Sequence, residues 1–266
     1  MEIDHPAEQP DRQPTTSERA LGVERFDGLA QWLGESAETT QAVHALNHLR
    51  CKAFVAESEQ GIAAAIVQLD DEPTEPQGYG NDARQLHDLL LLAKGWDCVL
   101  VAKSVAHELG RQLGADGAAV RYYDDVQYEL KKPAIEVDDP AVRLLTSKDE
   151  QLLSSAPKDV RGAGFGSVGK LLKEGIVAAA LVEDEVVAIA HTSARSGRFA
   201  DIGVHVLPSF RGRGFATASA SLVARQLQAN GEIPVWSTGE DNFASQRIAE
   251  KLGFEETGRR TYVVKR

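Results

Sequence analysis

The chain has 266 residues, a formal net charge of −11 at pH 7 and 42 % hydrophobic residues. This length permits one large domain or two smaller ones, and no apolar run approaches the ~18 residues that a membrane span needs. The negative charge argues against nucleic acid as a partner. We therefore expect a globular protein that has neither a membrane nor a nucleic acid as its partner.

The first 20 residues are acidic and rich in Pro, Glu, Gln and Thr. They have neither the basic start nor the apolar stretch of a signal peptide, so we expect residues 1–20 to form a disordered tail. The two cysteines, Cys51 and Cys98, are too few for a disulfide scaffold and favour a reducing compartment. The sequence thus predicts a cytoplasmic protein.

Apolar spacings in the first half predict alternating helices and strands. The predicted helices cover residues 22–49, 82–93 and 104–113. The predicted strands cover residues 51–56, 62–69, 96–102, 118–123 and 126–130, and a turn-rich loop covers 70–80. Lys131, Lys132 and Pro133 then interrupt the periodicity, so we place a domain boundary there and expect domains at 21–133 and 134–266.

The second half repeats the order of the first. Its predicted strands cover residues 175–182, 186–194, 200–206, 234–237, the surroundings of Phe254 and 261–265, and its predicted helices cover 214–228 and 243–252. This repetition predicts an α/β (α+β) fold, a mixed central sheet flanked by helices, in two tandem copies.

Charge is distributed unevenly between the halves. Residues 1–133 hold 12 basic and 23 acidic residues, whereas residues 134–266 hold 17 basic and 17 acidic residues. An acidic surface often serves solubility alone, but this one also weakly favours a cationic substrate.

The most informative segment is DIGVHVLPSFRGRGFAT, at 201–217. An alternating apolar stretch is followed by a turn with two glycines and two arginines, and the turn leads directly into a helix. The first amides of a helix have no partner within it, and the helix dipole adds positive potential there. Gly212 and Gly214 allow unusual dihedrals and a close approach, and Arg211 and Arg213 add charge. The segment predicts a diphosphate site, although a glycine turn can also be ordinary loop structure.

The spacing Arg211-x-x-Gly214-x-Ala216 after a strand resembles the acetyl-CoA loop of the GNAT superfamily of N-acetyltransferases. Residues 242–254 resemble its second signature, a short helix closed by Gly253 and Phe254. The resemblance covers 134–266. It implies the GNAT-type acyl-CoA N-acyltransferase fold, with tandem copies as in some actinobacterial thiol-biosynthesis acetyltransferases. It also implies acetyl-CoA as co-substrate.

The same resemblance implies the residues that bind acetyl-CoA. The pantetheine arm would pair with the backbone of Val204, His205 and Val206. Asn242 and Ser245 would reach the thioester end, or would simply cap their own helix. The diphosphate would lie on the amides of the loop and the following helix, which belong to Arg211, Gly212, Arg213, Gly214, Phe215, Ala216 and Thr217.

The residues that would move protons are less clearly indicated. Asp201 stands where the histone-acetyltransferase branch has a glutamate base, and its alternative role is to bind the turn at 195–198. His205 is the second candidate base, with a suitable intrinsic pKa. The tyrosine acid of the ribosomal-protein branch is replaced by Ala249. Tyr262 could donate the proton instead or be a core or surface tyrosine, and the thiolate could also take its proton from water or from the ammonium product.

The corresponding loop of the first half is at 77–82. It keeps the spacing of Gln77 and Gly80 but places Asp82 where the second half has Ala216. A carboxylate there would cap its own helix and repel a diphosphate. We therefore expect 21–133 to be a degenerate acetyltransferase-like domain, a scaffold or a wall of the substrate site, and 134–266 to be the catalytic domain.

Two other features carry weaker expectations. His44, His48 and Cys51 have a spacing that could hold zinc, but no fourth ligand is apparent, so we expect no metal. The glycines between 162 and 166 predict a flexible loop over the acceptor cleft.

The expected function is acetyl transfer to a primary amine by direct attack, because no cysteine in the second half could carry an acyl group. The acceptor is a small molecule or a peptide: polyamine, aminoglycoside, amino acid and peptide N-terminus all stay open, as does the oligomeric state. Two alternatives are an acyl-CoA-binding sensor without chemistry and a transferase for longer acyl groups.

Overall fold

A computed structural model describes residues 17–115, 117 and 119–265 of the chain. The first half contains two helices, two strands of a hairpin and then alternating elements. These elements are β1 (Ser17–Ala20), α1 (Phe26–Leu33), α2 (Thr40–Asn47), β2 (Cys51–Ser58), β3 (Gly61–Leu69), β4 (Gln77–Tyr79), α3 (Ala83–Leu92), β5 (Cys98–Ala102), α4 (Lys103–Ala115) and β6 (Val120–Glu129).

The second half repeats this order from its first short strand onward. Its elements are β7 (Val142–Leu144), α5 (Glu150–Ser155), α6 (Val168–Glu174), β8 (Val177–Val182), β9 (Glu185–Ser196), β10 (Phe199–Val206), α7 (Phe215–Ala229), β11 (Ile233–Gly239), α8 (Phe243–Leu252) and β12 (Glu255–Lys265). Within the described residues, no helix is long and apolar enough to cross a membrane.

The described strands form one continuous sheet in the order β1-β2-β3-β4-β5-β12-β6-β11-β10-β9-β8-β7. Neighbours are antiparallel except for two parallel pairs, β4 with β5 and β10 with β11. The sheet is therefore mixed, with helices on both faces, as the sequence predicted. Each parallel pair occupies the same place in its own half.

The halves exchange their last strands. β12 pairs with β5 over 260–264 and with β6 along its whole length. β6 in turn pairs with β11, from Val235 opposite Glu129 to Gly239 opposite Asp125. The last strand of each half thus lies between strands of the other, and the sheet has no break at the predicted domain boundary.

Each half has a core on both faces of the sheet. In the first half, α3 and α4 cover one face through Leu86 and Leu109, while α1 and α2 cover the other through Leu29 and Leu46. In the second half, α7 and α8 cover one face, and the segment with α5 and α6 covers the other. All four of the named leucines are at most 1 % exposed, so the packing is that of a folded interior.

The structure corrects five predictions of secondary structure. The single helix expected at 22–49 is divided into α1 and α2. The pairs of strands expected at 118–130 and near 254–265 are the single long strands β6 and β12. Asp124 and Asp125 look like a turn in the sequence, but Asp124 accepts hydrogen bonds from Lys103 and Thr261 and continues the strand. The tail prediction is wrong for 17–20, which pair with β2, while residues 1–16 lie outside the described part. The loop predicted at 70–80 contains β4.

Candidate active site

The site begins where β10 and β11 separate. They pair in parallel from Phe199 opposite Ile233 to Asp201 opposite Val235. Beyond that point β10 pairs only with β9, and β11 pairs with β6. The second edge of β10 therefore presents free backbone donors and acceptors to the gap, where an extended ligand with amide groups can pair as an added strand.

Trp236 of β11 forms the side of this gap opposite β10. Trp236 is 3 % exposed, packs edge-on against Phe254 and donates a 2.9 Å hydrogen bond from Nε1 to Oγ of Ser245. Asn242 accepts from the backbone N–H of Ser245 at 3.2 Å. The two residues predicted to reach the thioester end thus also fix the start of α8, and both remain in the wall of the gap.

The loop between β10 and α7 places the start of a helix over the same gap. Gly212 and Gly214 have φ of 76° and 90°, and Gly214 is the N-cap of α7 without a side-chain cap. A Cβ on either glycine would have no protein atom within 4 Å. The first-turn amides of α7 have no partner within the helix and face space that a diphosphate can enter.

The two loop arginines lie beside this helix start. The guanidinium of Arg213 lies 4.9 Å from the ring centre of Phe210 and donates to the carbonyl of Ser209. Nε of Arg211 donates weakly, at 3.4 Å, to the carbonyl of Val206. Neither arginine forms a salt bridge among the described residues, so their charge is available to an anion.

These parts enclose a groove of ≈ 610 Å³. The residues predicted from the sequence to bind acetyl-CoA all line it. They are Val204, His205, Val206, Arg211, Gly212, Arg213, Gly214, Phe215, Ala216, Thr217, Asn242 and Ser245.

A second cavity of ≈ 360 Å³, called here the central cavity, lies between the two halves. It shares Val204, His205 and Trp236 with the groove, so the two spaces meet where β10 and β11 diverge. Its opposite wall comes from the first half, through residues such as Gln41 and Gln77. The groove and the central cavity together have the arrangement of a site for two substrates.

The chain matches the family described as GNAT acetyltransferase over residues 132–263. The second half of the chain belongs to the GNAT acetyltransferase family. Membership implies transfer of an acyl group from acyl-CoA, and the groove has the backbone edge and the uncapped helix start that such a ligand needs. None of the curated proteins matches the chain.

Solved structures show the same fold across both halves. A GCN5-related N-acetyltransferase-like protein from Streptococcus suis 89/1591 is 20 % identical, with a TM-score of 0.65, over 91 % of this chain and 99 % of that one. A GCN5-related N-acetyltransferase from Kribbella flavida is 14 % identical, with a TM-score of 0.62, over 88 % and 96 %. A tandem GNAT protein from the clavulanic acid biosynthesis pathway is 12 % identical, with a TM-score of 0.59, over 94 % and 98 %.

Asp201 lies at the last residue of the parallel pairing between β10 and β11. Ser193 is the extra residue of a bulge in β9, because Asp201 pairs with Ala194 and the next residue of β10 pairs with Thr192. The bulge directs Oγ of Ser193 to the Asp201 carboxylate at 2.5 Å, and Nε2 of Gln41 donates to it at 3.2 Å. Burial raises the pKa of Asp201 above its ordinary value, which makes it a stronger base than an exposed aspartate.

His205 and His191 lie side by side, with ring centres 6.2 Å apart. His205 lines both the groove and the central cavity, and burial lowers its pKa, so the neutral ring predominates at neutral pH. Burial lowers the pKa of His191 to about 3, and its Nε2 accepts from the backbone N–H of Ala163 at 3.0 Å. His205 alone of this pair lies where the two cavities meet.

Tyr262 lines the central cavity but is not part of the groove wall. Burial and the nearby carboxylate of Asp125 raise its pKa far above the ordinary value of a phenol. Such a phenol gives up its proton with difficulty, so the position favours contact with the acceptor over proton donation to a thiolate. Its role as proton donor stays a prediction.

The glycine loop at 162–166 is fastened to the first half instead of lying free over the cleft. The Gly164 N–H donates to Asp71 at 3.3 Å, and the Gly164 carbonyl lies 3.1 Å from Nε2 of His44. Phe165 is 3 % exposed and packs edge-on against the ring of His44. These contacts join the halves beside the central cavity, where Ala163 forms part of the wall.

His44 and His48, whose spacing with Cys51 could hold zinc, pack instead against Phe165 at this contact between the halves. The rings of His44 and His48 lie 4.1 Å apart, while Cys51 lies in β2. Burial lowers the pKa of His44 to about 4. Among the described residues there is no group of three or more His, Cys, Asp or Glu side chains placed to hold a metal ion.

The loop of the first half differs from its counterpart as the sequence suggested, with one correction. Asp82 caps α3 and accepts from the N–H groups of Arg84 and Gln85 at 2.8 and 3.4 Å. The sequence alignment placed Asp82 opposite Ala216, but both Asp82 and Gly214 are N-caps and correspond in the structure. A carboxylate thus occupies the helix start that is open in the second half.

The residues that the sequence did not assign to the site come mostly from the first half. They are Glu38, Gln41, Glu72, Glu75, Gln77, Asp125 and Gln127, together with Arg260 on β12. The acidic composition of 70–75 was visible in the sequence, but only the strand exchange brings β6 and β12 to the site.

Proposed function

We propose that this protein transfers the acetyl group of acetyl-CoA to a primary amine, by direct attack within a ternary complex. The observation that supports it best is the meeting of the groove and the central cavity at Val204 and His205. An acyl-CoA in the groove would present its thioester at this junction, and an amine in the central cavity would face it. The described part of the central cavity is lined mainly by polar and acidic side chains, which disfavour a long acyl chain.

In the proposed reaction Asp201 takes a proton from the ammonium form of the acceptor, and the neutral amine nitrogen then attacks the acetyl carbonyl carbon. The N–C bond forms, the C–S bond breaks, and CoA leaves as a thiolate. The proton that the nitrogen loses after the attack passes to the thiolate, and Asp201 releases the proton that it took to solvent. The amides of the groove and the arginines hold the diphosphate throughout. We place the protein in the cytoplasm, since both of its cysteines are buried free thiols.

Exchange of the base tests this assignment. Asp201→Asn keeps the shape and removes the proton acceptor, so we expect kcat/KM for the amine to fall about 100-fold, with unchanged affinity for acetyl-CoA. In the wild type, kcat/KM should fall as pH drops through the raised pKa of Asp201, because the base becomes protonated. In the variant the defect should shrink at high pH, where the amine is already neutral.

His205→Gln is the matched comparison on the same strand face. Full activity of Asp201→Asn with a crippled His205→Gln would transfer the base role to His205. Release of free CoA, followed with a thiol reagent across a panel of amines, measures both variants. If no amine releases CoA while calorimetry shows binding of acetyl-CoA, the protein is the acyl-CoA sensor instead.

A further inference from the structure

Carboxylates from both halves face one another across the central cavity. Glu72 and Glu75 come from the segment before β4, and Asp125 comes from β6. Asp201 comes from β10 of the second half, and Glu38 lies just before α2. None of these five carboxylates forms part of the groove wall, so the negative charge lies on the side of the cavity away from the diphosphate site.

The protein balances the charge of these carboxylates only in part, through Arg260, whose positive charge opposes the effect of burial on the pKa of Asp125. Among the described residues none of the five forms a salt bridge. The guanidinium of Arg260 also lines the cavity, but it donates to the carbonyls of Gly78 and Leu100 at 2.9 and 3.0 Å. Asp125 and Asp201 are 6 % and 7 % exposed, and burial of a carboxylate without a counter-ion is costly.

The raised pKa values of two of these carboxylates also indicate negative charge that is not fully compensated. Burial raises the pKa of Asp125 to about 7, and burial together with Glu75 raises the pKa of Glu72. The nearby carboxylate of Asp201 further raises the pKa of both Asp125 and Glu72. A ligand with a positive charge would relieve this repulsion, whereas a ligand with a carboxylate would increase it.

A further polar atom of the wall lacks a partner. His191 is 1 % exposed and lines the central cavity, and its Nδ1 makes no hydrogen bond within the described residues. Buried polar atoms normally have a protein or ligand partner. Nδ1 of His191 is thus one buried polar atom beside the cavity that the described residues do not satisfy.

We infer that the acceptor is a small diamine or polyamine, held with one ammonium group among Glu72, Glu75 and Asp125. A second nitrogen of the same molecule, in its neutral form, then lies at the junction with the groove and attacks the thioester. This inference rests on the proposed function for its chemistry, but the binding of a dication by the cavity can be tested separately.

Steady-state kinetics with four-carbon amines of matched length test the inference. We expect kcat/KM for 1,4-diaminobutane to exceed that for butylamine by about 100-fold, since only the diamine places an ammonium among the carboxylates. 4-Aminobutyrate, which has a carboxylate in place of that ammonium, should be the poorest acceptor. Equal rates for butylamine and the diamine would overturn the inference.

Substitution of the cavity carboxylates tests the same point from the protein side. Glu72→Gln and Glu75→Gln should each raise the KM for 1,4-diaminobutane about tenfold, with little change in kcat or in the KM for acetyl-CoA. The matched control is Glu59→Gln, an exposed residue of the hairpin between β2 and β3, which should change nothing. Unchanged KM for the diamine in both cavity variants would contradict the inference.

Calorimetry with 1,4-diaminobutane alone separates the two proposals. If no amine is acetylated but the diamine binds, and binding weakens in folded Glu72→Gln and Glu75→Gln, the proposed activity fails and the cation site stands. If another class of acceptor is acetylated and the diamine neither binds nor reacts, the activity stands and the inference is wrong. Thermal melting of each variant identifies any that fail to fold.

Discussion

The connection from β10 to α7 and the connection from β4 to α3 occupy the same place in the two halves but differ in length and structure. Residues 207–214 join the first pair of elements, whereas residues 80–82 join the second. β10 also runs eight residues, against three in β4. The first half thus has neither the overhanging strand edge nor enough chain to surround a diphosphate.

The glycines of the two connections show the same contrast. A Cβ on Gly80 would lie 2.9 Å from the Cβ of Ala64, so this glycine packs against β3. A Cβ on Gly212 would meet no protein atom within 4 Å. Both residues have positive φ, 132° and 76°, but one turn faces the protein and the other faces an open groove.

The gap between the two parallel strands is filled in the first half and open in the second. In the first half the guanidinium of Arg260, from β12, bonds the carbonyls of Gly78 on β4 and Leu100 on β5. In the second half the corresponding gap is part of the groove wall. Three differences therefore separate the first half from the second: a short loop, a capped helix and a filled gap. On these differences we base the proposal that the first half does not bind acyl-CoA. A repeated fold can keep its strands while one copy becomes the wall of the site in the other.

The largest expected effect comes from giving the second half the carboxylate of the first. Gly214→Asp should weaken acetyl-CoA binding at least 100-fold, because a carboxylate at the N-cap of α7 engages the free amides and repels the diphosphate. Calorimetry measures the affinity. Gly214→Asn is the matched control: it has the same shape and tolerates positive φ, but lacks the charge. It should retain more affinity, and a folded Gly214→Asp variant with normal affinity would refute the assignment of the groove.

An intermediate effect is expected from removal of the side chain that fills the first gap. Arg260→Met should lower the free energy of unfolding by about 2–4 kcal/mol, because two buried carbonyls lose their donors. Urea denaturation measures it. Arg259→Met is the control, since Arg259 pairs with Glu256 at the surface and should cost about 1 kcal/mol or less. Acetyl-CoA should still bind once per chain; a second site in Arg260→Met would mean that this arginine alone closes the first half.

The smallest effect is expected at the cap of the first half. Asp82→Ala should cost about 1 kcal/mol of stability, the usual value for loss of an N-cap. It should not create a second acetyl-CoA site, because the loop stays short and Arg260 stays in place. Asp27→Ala is the control, since Asp27 lies in the first turn of α1 without capping it. Calorimetric stoichiometry and denaturation together measure the outcome, and two sites per chain in Asp82→Ala would reduce the difference between the halves to this one carboxylate.

The groove could be predicted from the sequence because its signals are local. The strand, the two glycines, the arginines and the helix follow one another within 201–217, and backbone conformation alone brings them together. The sequence also indicated the cap formed by Asp82. The sequence spacing matched Asp82 with Ala216, two residues away from its structural counterpart Gly214. The reason is that hydrogen bonds define the start of a helix, and a spacing does not show them.

The central cavity could not be predicted in this way. Its wall depends on β6 lying beside β11 and on β12 lying beside β5, contacts between residues more than a hundred positions apart. Asp125 looked like part of a turn, since two adjacent aspartates favour one. The bulge that directs Ser193 to Asp201 depends likewise on register, which no local pattern specifies.

The exchange of β6 and β12 determines the order in which strands can pair while the chain is being synthesised. β12 begins more than 150 residues after β5 ends, so a ribosome exposes β5 with one unpaired edge while most of the second half is still being made. Such an edge is a template for pairing with other chains. Pairings over this sequence separation also form late, because the loop must close first. In the nascent first half, one edge of β5 would thus stay unpaired until β12 has been synthesised. During that time the edge would need protection from pairing with other chains.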